Sequence, residues 1–238
     1  MIESINNEKI KYIKSLLIKK NILREKKFIV ETEHLVQEAV NSGRALEIFY
    51  VQDYDNKFNI KSTMISDKVM KYISSLTSST KVLCICSTTC EKEIVGNVVI
   101  LDNVADPGNV GTIIRSCVAF NISTLILTDG CASIYNDKVI RSSEGNIFHL
   151  NIVKMNLSSA IDIIKKKGIT LVGTSLKKSN DIEKLDNRYA VIFGNEASGI
   201  DDITLSKCDK VFKIRMNKNC ESLNVAVSCG IVLYELDK

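Results

Sequence analysis

A single proline occurs in the 238 residues, Pro107, in the turn Asp106-Pro107-Gly108-Asn109-Val110-Gly111 directly after the apolar run Val98-Val99-Ile100-Leu101. The pyrrolidine ring fixes φ and pushes the preceding residue out of helical geometry, while Gly108 and Gly111 admit a close neighbour. Beyond the turn, Val110, Ile113, Ile114, Cys117 and Val118 repeat at the i, i+3, i+4, i+7, i+8 spacing of a helix with one apolar face. Strand, sharp polar turn and helix form the junction at which α/β proteins bind ligands. The chain is thus confined to an α/β arrangement with a candidate active site at this turn.

From Val98 onward, strands are expected at 98–102, 123–128, 169–173, 189–193 and 210–214. Helices are expected near 109–120, 136–142, 157–167 and 222–237. Such alternation gives a parallel sheet with helices on its faces. Before it, the pattern predicts a helix over 8–20 with Ile10, Ile13 and Leu17 on one face, a strand at Phe28–Glu31 and a helix from Glu33 to Val40. A strand at 46–51, a short helix at 68–73 and a strand at 81–86 follow. The polar stretch 87–97 is the expected boundary, dividing a domain of residues 1–95 from one of 96–238.

Charge is unevenly spread. Residues 1–27 hold Lys9, Lys11, Lys14, Lys19, Lys20, Arg24, Lys26 and Lys27 against Glu3, Glu8 and Glu25, an excess of five positive charges in a chain whose net charge is +4. A basic arm on a neutral body suits a phosphate backbone, although lysine-rich helices are also common as solvated faces. No signal-peptide core or membrane-length apolar run is present, so a cytoplasmic protein is expected. Of the eight cysteines, Cys84, Cys86, Cys117 and Cys229 lie in apolar strand or helix contexts and the others are scattered near turns, the usage of reduced thiols rather than of a disulfide framework. Cys84, Cys86 and Cys90 lack zinc spacing and a fourth ligand, and no metal is expected. His34 and His149 are far apart in sequence and form no evident catalytic set.

Two further turns share the character of the first. Val191-Ile192-Phe193 runs into Gly194-Asn195-Glu196-Ala197-Ser198-Gly199. The strand from Val211 runs into Asn217-Lys218-Asn219-Cys220-Glu221-Ser222-Leu223-Asn224, with Ser222 the expected N-cap of the last helix. Because each turn follows the C-terminal end of an apolar strand, all three are expected at one sheet edge. Neither a Gly-x4-Gly-Lys-Ser/Thr loop nor Gly-x-Gly-x-x-Gly is present, so the expected ligand is nucleotide-like and held by backbone.

These segments, Asn103-x2-Asp106-Pro107-Gly108-Asn109-x-Gly111-x3-Arg115-Ser116, Gly194-Asn195-Glu196-x2-Gly199 and Ile214-x-Met216-x5-Ser222-Leu223-Asn224-Val225, resemble in order and spacing the three motifs of the SpoU/TrmH family. That family comprises RNA ribose 2′-O-methyltransferases of the SPOUT superfamily. The stretch Phe28-x-Val30-Glu31-x-Glu33-His34-Leu35 resembles the substrate-binding domain, similar to ribosomal protein L30e/L7Ae, that many members carry. In three places the chain departs from the pattern: Arg215 replaces a proline, and Lys218 and Thr32 replace glycines. Asn121 stands where a glycine often closes the first helix, and asparagine tolerates that left-handed position.

The resemblance implies a carboxy-terminal α/β domain with a deep trefoil knot, S-adenosylmethionine as cofactor, and a homodimer through the last helix. It implies cofactor contacts from Gly194, Ile214, Met216, Leu223 and Thr174, and catalytic positions at Asn109, Arg115, Glu196, Ser222 and Asn224. Ribosomal RNA of the large subunit is the implied substrate. A tRNA methyltransferase and a catalytically silent RNA-binding or ribosome-assembly factor on the same fold are the alternatives. A guanidinium is too weakly acidic to serve as a base, so Arg115 is read as a fork on phosphate and hydroxyl. Glu196 is an alternative base, with capping of neighbouring amides its plainer role. The final helix is apolar nearly all round, unlike a surface helix.

Overall fold

The computed structural model describes residues 1–76, 80–89, 93–176 and 180–238; Cys90 lies outside them. Two sheets organise the chain. The first has the order β1-β4-β2-β3, built from β1 (Lys27–Glu31), β2 (Ala45–Tyr50), β3 (Ser62–Met64) and β4 (Val82–Ser87). Its central strand, β4, runs antiparallel to both β1 and β2, and β3 pairs parallel to β2 at one edge. The second has the order β10-β8-β9-β5-β6-β7, every pair parallel. Its strands are β5 (Val98–Leu101), β6 (Thr124–Leu127), β7 (Asn151–Lys154), β8 (Thr170–Thr174), β9 (Tyr189–Phe193) and β10 (Lys210–Phe212). The central strands β5 and β9 are buried along their whole length, as the unbroken apolar runs require of a sheet covered on both faces.

Helices α1 (Glu8–Ser15), α2 (Lys19–Glu25), α3 (Glu33–Asn41) and α4 (Asp67–Ile73) accompany the first sheet. Helices α5 (Pro107–Ala119), α6 (Asp137–Ser142), α7 (Leu157–Lys166), α8 (Asp202–Ser206) and α9 (Val225–Asp237) accompany the second. The expected helix over 8–20 is two helices. The first stops at Ser15 with Leu16 as its C-cap, and Ile18 is the extended N-cap of the second. Ending the helix there turns Leu16 into the core at 1% exposure and leaves Leu17 at 36%, so Leu16, not Leu17, completes the apolar face begun by Ile10 and Ile13. The basic arm is partly structural: Lys9 is salt-bridged to the nearly buried Glu47.

Strands β3 and β7 and helix α8 escape the sequence pattern. Each is short, and both strands sit at sheet edges, where few apolar residues are needed. Asn121 has φ +56°, as its place at a helix end suggests, but Thr32 has φ +81°. For a β-branched residue that conformation stores strain of about 1–3 kcal/mol. The two sheets share one apolar core, in which Phe28 of β1 stacks on Phe148 with ring centroids 6.0 Å apart and tilts against Tyr135 at 5.0 Å.

Among the described residues no helix is long and apolar enough to cross a membrane. No group of three or more His, Cys, Asp or Glu residues there is placed to hold a metal. Cys84 and Cys86 are buried neighbours on β4, their sulfurs 3.8 Å apart.

Candidate active site

The parallel register carries the three turns to one edge, as β5, β9 and β10 all end there. The first turn is fixed before any ligand arrives. The Asp102 amide donates to Phe193 carbonyl at 2.8 Å and the Asn103 amide to Thr128 Oγ1 at 3.0 Å. Asp106 caps α5, its carboxylate accepting from the Asn109 amide at 2.9 Å and from Lys138 Nζ at 3.2 Å. The amide of Asn109 and then the Lys138 ammonium hold the Asp106 carboxyl below its usual range. Gly111 does admit a close neighbour, but that neighbour is α6: a Cβ there would stand 2.5 Å from Ser142 Cβ and 2.6 Å from the Val139 carbonyl oxygen.

The second turn is bound to the first. Asn195 donates to the Asn103 carbonyl at 2.9 Å and accepts from the amides of Ala197 and Ser198. Gly194 lies so close to Gly199 that a Cβ would come within 2.3 Å of its carbonyl carbon. Three predicted catalytic positions form one relay. Asn224 Nδ2 donates to Asn109 Oδ1 at 2.9 Å, and Asn109 Nδ2 donates to Glu196 Oε1 at 3.0 Å. Burial pushes the Glu196 carboxyl upward, but hydrogen bonds from Asn109 and from backbone amides at 196, 106 and 105 outweigh it, so the net shift is downward. A carboxylate held ionised in this way is a weak proton acceptor.

Asn224 is also the N-cap of α9, accepting from the amides of Ala226 and Val227 at 2.9 and 3.3 Å. The expected cap, Ser222, lies before the helix, where its carbonyl accepts from the Cys220 thiol. An asparagine cap gives its carbonyl oxygen to the helix and keeps its NH₂ for another partner, which a serine hydroxyl cannot do as well.

Beside the relay opens a cavity of about 440 Å³, in the range of small-molecule sites. Thr174, Gly194, Glu196, Ile214, Met216, Ser222, Leu223 and Asn224 line it. Asn109 stands behind this lining and reaches the site through its two partners. Arg115, exposed on α5, is not part of the lining and has no ion pair or hydrogen bond among the described residues. The Thr174 hydroxyl is committed to the Ile192 carbonyl at 3.0 Å, so Thr174 contributes wall rather than a free donor. Phe212, Leu205, Ile200 and Val232 add an apolar wall that the motifs did not reveal, although their apolar character beside the turns was readable.

The third turn is loosely held. Asn217 closes it by accepting from the amides of Cys220 and Asn219, and Lys218, where a glycine was expected, has no left-handed φ to support. Arg215, in place of proline, forms a two-pronged bond to Asp181 that ties this turn to the neighbouring segment. The backbone amides of Ile214, Met216 and Leu223 have no hydrogen-bond partner among the described residues. Donors facing an apolar wall across a cavity of mixed lining fit a planar heterocycle with polar edges, as the adenine of S-adenosylmethionine has.

Residues 96–234 match the SpoU rRNA Methylase family, and residues 7–84 match the MRM3-like substrate binding domain. The chain belongs to the SpoU rRNA methylase family. Among SpoU relatives, the 23S rRNA (guanosine(2553)-2′-O)-methyltransferase RlmP of Bacillus subtilis is 33% identical, the match covering 99% of this chain and 98% of the relative. Two solved structures share the fold across both domains. An rRNA methyltransferase from Sinorhizobium meliloti has a TM-score of 0.87 at 24% identity, covering 98% of this chain and 95% of its own. The SpoU methyltransferase AviRb of Streptomyces viridochromogenes, solved with AdoMet, has a TM-score of 0.86 at 22% identity, covering 97% of each chain.

Proposed function

We propose that this SpoU enzyme transfers a methyl group from S-adenosylmethionine to a ribose 2′-hydroxyl of large-subunit ribosomal RNA. The observation that carries the reading is the Asn224–Asn109–Glu196 relay beside a cavity lined by Ile214, Met216 and Leu223, whose backbone amides have no partner among the described residues. The full-length likeness to a 23S rRNA methyltransferase supports the substrate class.

Gly194, Ile214, Met216 and Leu223 hold the cofactor through backbone, and Thr174 supplies wall. Bound there, S-adenosylmethionine supplies an electrophilic methyl on a sulfonium. The protein's task is alignment, which contributes about 7–11 kcal/mol in such displacements. Arg115 grips the target's phosphate and 2′-oxygen with its planar fork, and a phosphate oxygen or water takes the proton. Glu196, kept ionised, holds Asn109 in place. Asn224 and Ser222 orient groups at the rim.

Residues 1–95 bind RNA and residues 96–238 carry the chemistry, in the cytoplasm. Along α9, Val227 and Tyr234 are 50% and 52% exposed on one face with Ile231 between them, a stripe suited to a second copy of the chain. Membership of the SpoU family over residues 96–234 supports the knotted path.

Ribose-methylation mapping of RNA from cells with and without the gene tests the reading. One ribosomal nucleotide is expected to lose its methyl group. Loss in tRNA would refute the substrate, and no loss anywhere, with cofactor binding intact by calorimetry, would make the protein a silent RNA binder.

A further inference from the structure

The only two histidines of the chain, His34 and His149, both stand where the two sheets' structures meet, each facing a glutamate from the other side. His149 Nε2 donates to Glu38 Oε2 at 2.6 Å, with the glutamate side chain only 23% exposed. His34 lies one helical turn before Glu38 on α3. Its Nε2 is 3.3 Å from the Glu144 carbonyl oxygen and 3.8 Å from the Glu144 carboxylate. The turn that receives α3 is shaped for it. Glu144 and Gly145 both take positive φ, and a Cβ on Gly145 would stand 2.6 Å from Glu38 Cγ. Gly145 is therefore the notch in which the Glu38 stem lies.

That turn leads directly to the site. It closes α6, whose Val139 and Ser142 press on Gly111 of α5 and whose Lys138 holds Asp106, the cap of α5. Any shift of the 143–149 turn moves α6 and with it the start of the helix that bears Asn109 and Arg115. Glu38 and His149 make no hydrogen bond to the relay among the described residues and do not line the cavity.

We infer that Glu38 and His149 are positioning residues. Paired across Gly145, they set where RNA held by residues 1–95 meets the methyl-transfer site, an inference that rests on the proposed RNA methylation. Glu38→Ala, His149→Ala, the double variant and Glu38→Gln, all in the full chain, test it. Hydrogen exchange of the 143–149 amides is expected to quicken about tenfold in either alanine variant, with no further gain in the double. The glutamine variant, whose amide still accepts from imidazole, is expected to stay near wild type. Cofactor affinity by calorimetry should hold. The single-turnover rate at saturating RNA should fall by about tenfold or more, with half-saturation by RNA nearly unchanged, and Glu38→Gln should restore it.

Unchanged exchange in Glu38→Ala would overturn the clasp whether or not the enzyme methylates RNA. Faster exchange with an unaltered rate, or a parallel fall of cofactor affinity, rate and melting temperature, would overturn positioning. A wild-type protein that methylates no RNA refutes the proposed function and the positioning role with it, while the exchange measurement still decides the clasp.

Discussion

The turn after β5 and the turn after β10 stand at the same sheet edge and are held in opposite ways. The first is knitted to β9, to Thr128, to Asn195 and, through Asp106, to Lys138. The third is anchored at its ends by Lys213 on Asn180, Arg215 on Asp181 and Asn224 on Asn109, and the amides of Met216 and Leu223 between them have no partner among the described residues. The first presents side chains in fixed positions, as preorganised catalysis requires. The third presents backbone donors, which suit a ligand that completes their hydrogen bonds. On the proposed reading, chemistry falls to the side-chain wall and cofactor holding to the backbone wall, which we term the stiff and the pliant wall.

The largest expected effect tests the stiff side. Arg115→Lys keeps the charge and loses the fork, so it should fail nearly as badly as Arg115→Ala, each slowing single-turnover methylation by about 10²–10³. Cofactor affinity should be unchanged, because Arg115 lies outside the cavity lining. Near-normal turnover by the lysine variant would leave a simple charge, and near-normal turnover by the alanine variant would remove the residue from the mechanism.

Asn224 belongs to both walls, and two variants separate its parts. Asn224→Asp caps a helix as well as asparagine but cannot donate to Asn109, so stability should hold while turnover drops about tenfold. Asn224→Ala should also lose about 0.5–2 kcal/mol of stability, read from denaturant unfolding. Equal melting of the two variants would show that the cap is dispensable.

A pH profile sharpens the role of Glu196. Its carboxyl is lowered in the folded protein, so the ionised form, and the stability its hydrogen bonds contribute, persist above the ordinary value of 4.5 and are lost only as pH falls through a lower one. Turnover should therefore show no acid limb from Glu196 at or above that value, and Asn109→Ala, which removes the side-chain donor, should move the limb upward. A limb near neutrality in the unaltered enzyme would make Glu196 the base after all.

The smallest effect concerns the pliant wall. Arg215 and Asp181 are exposed, so Arg215→Ala should weaken cofactor binding only about twofold and leave the rate at saturation alone. A loss of rate instead would show that the third turn is as catalytic as the first.

Much of this was legible in the residues. Apolar runs ending in glycine-and-asparagine turns placed β5, β9 and β10 and brought their ends together, because a parallel sheet leaves no other arrangement. Edge strands β3 and β7 gave no such signal, since three or four residues with one solvated side need little apolar content. The identity of partners was harder to read. Gly111 admits a close neighbour, as the sequence implies, but only the structure shows that the neighbour is α6, and Asn224 supplies the cap expected of Ser222. Glu38 and His149 are 111 residues apart in sequence, and no local spacing could have joined them.

The relay that links Asn109 to Glu196 and Asn224 spans 87 and 115 residues of chain. Contacts of such separation form late, after loop closure has been compensated by other pairings. A nascent chain that has completed β5 and α5 carries Asn109 and Arg115 with neither partner in existence. If the relay serves methyl transfer as proposed, that competence belongs to the finished sheet and not to a folding intermediate.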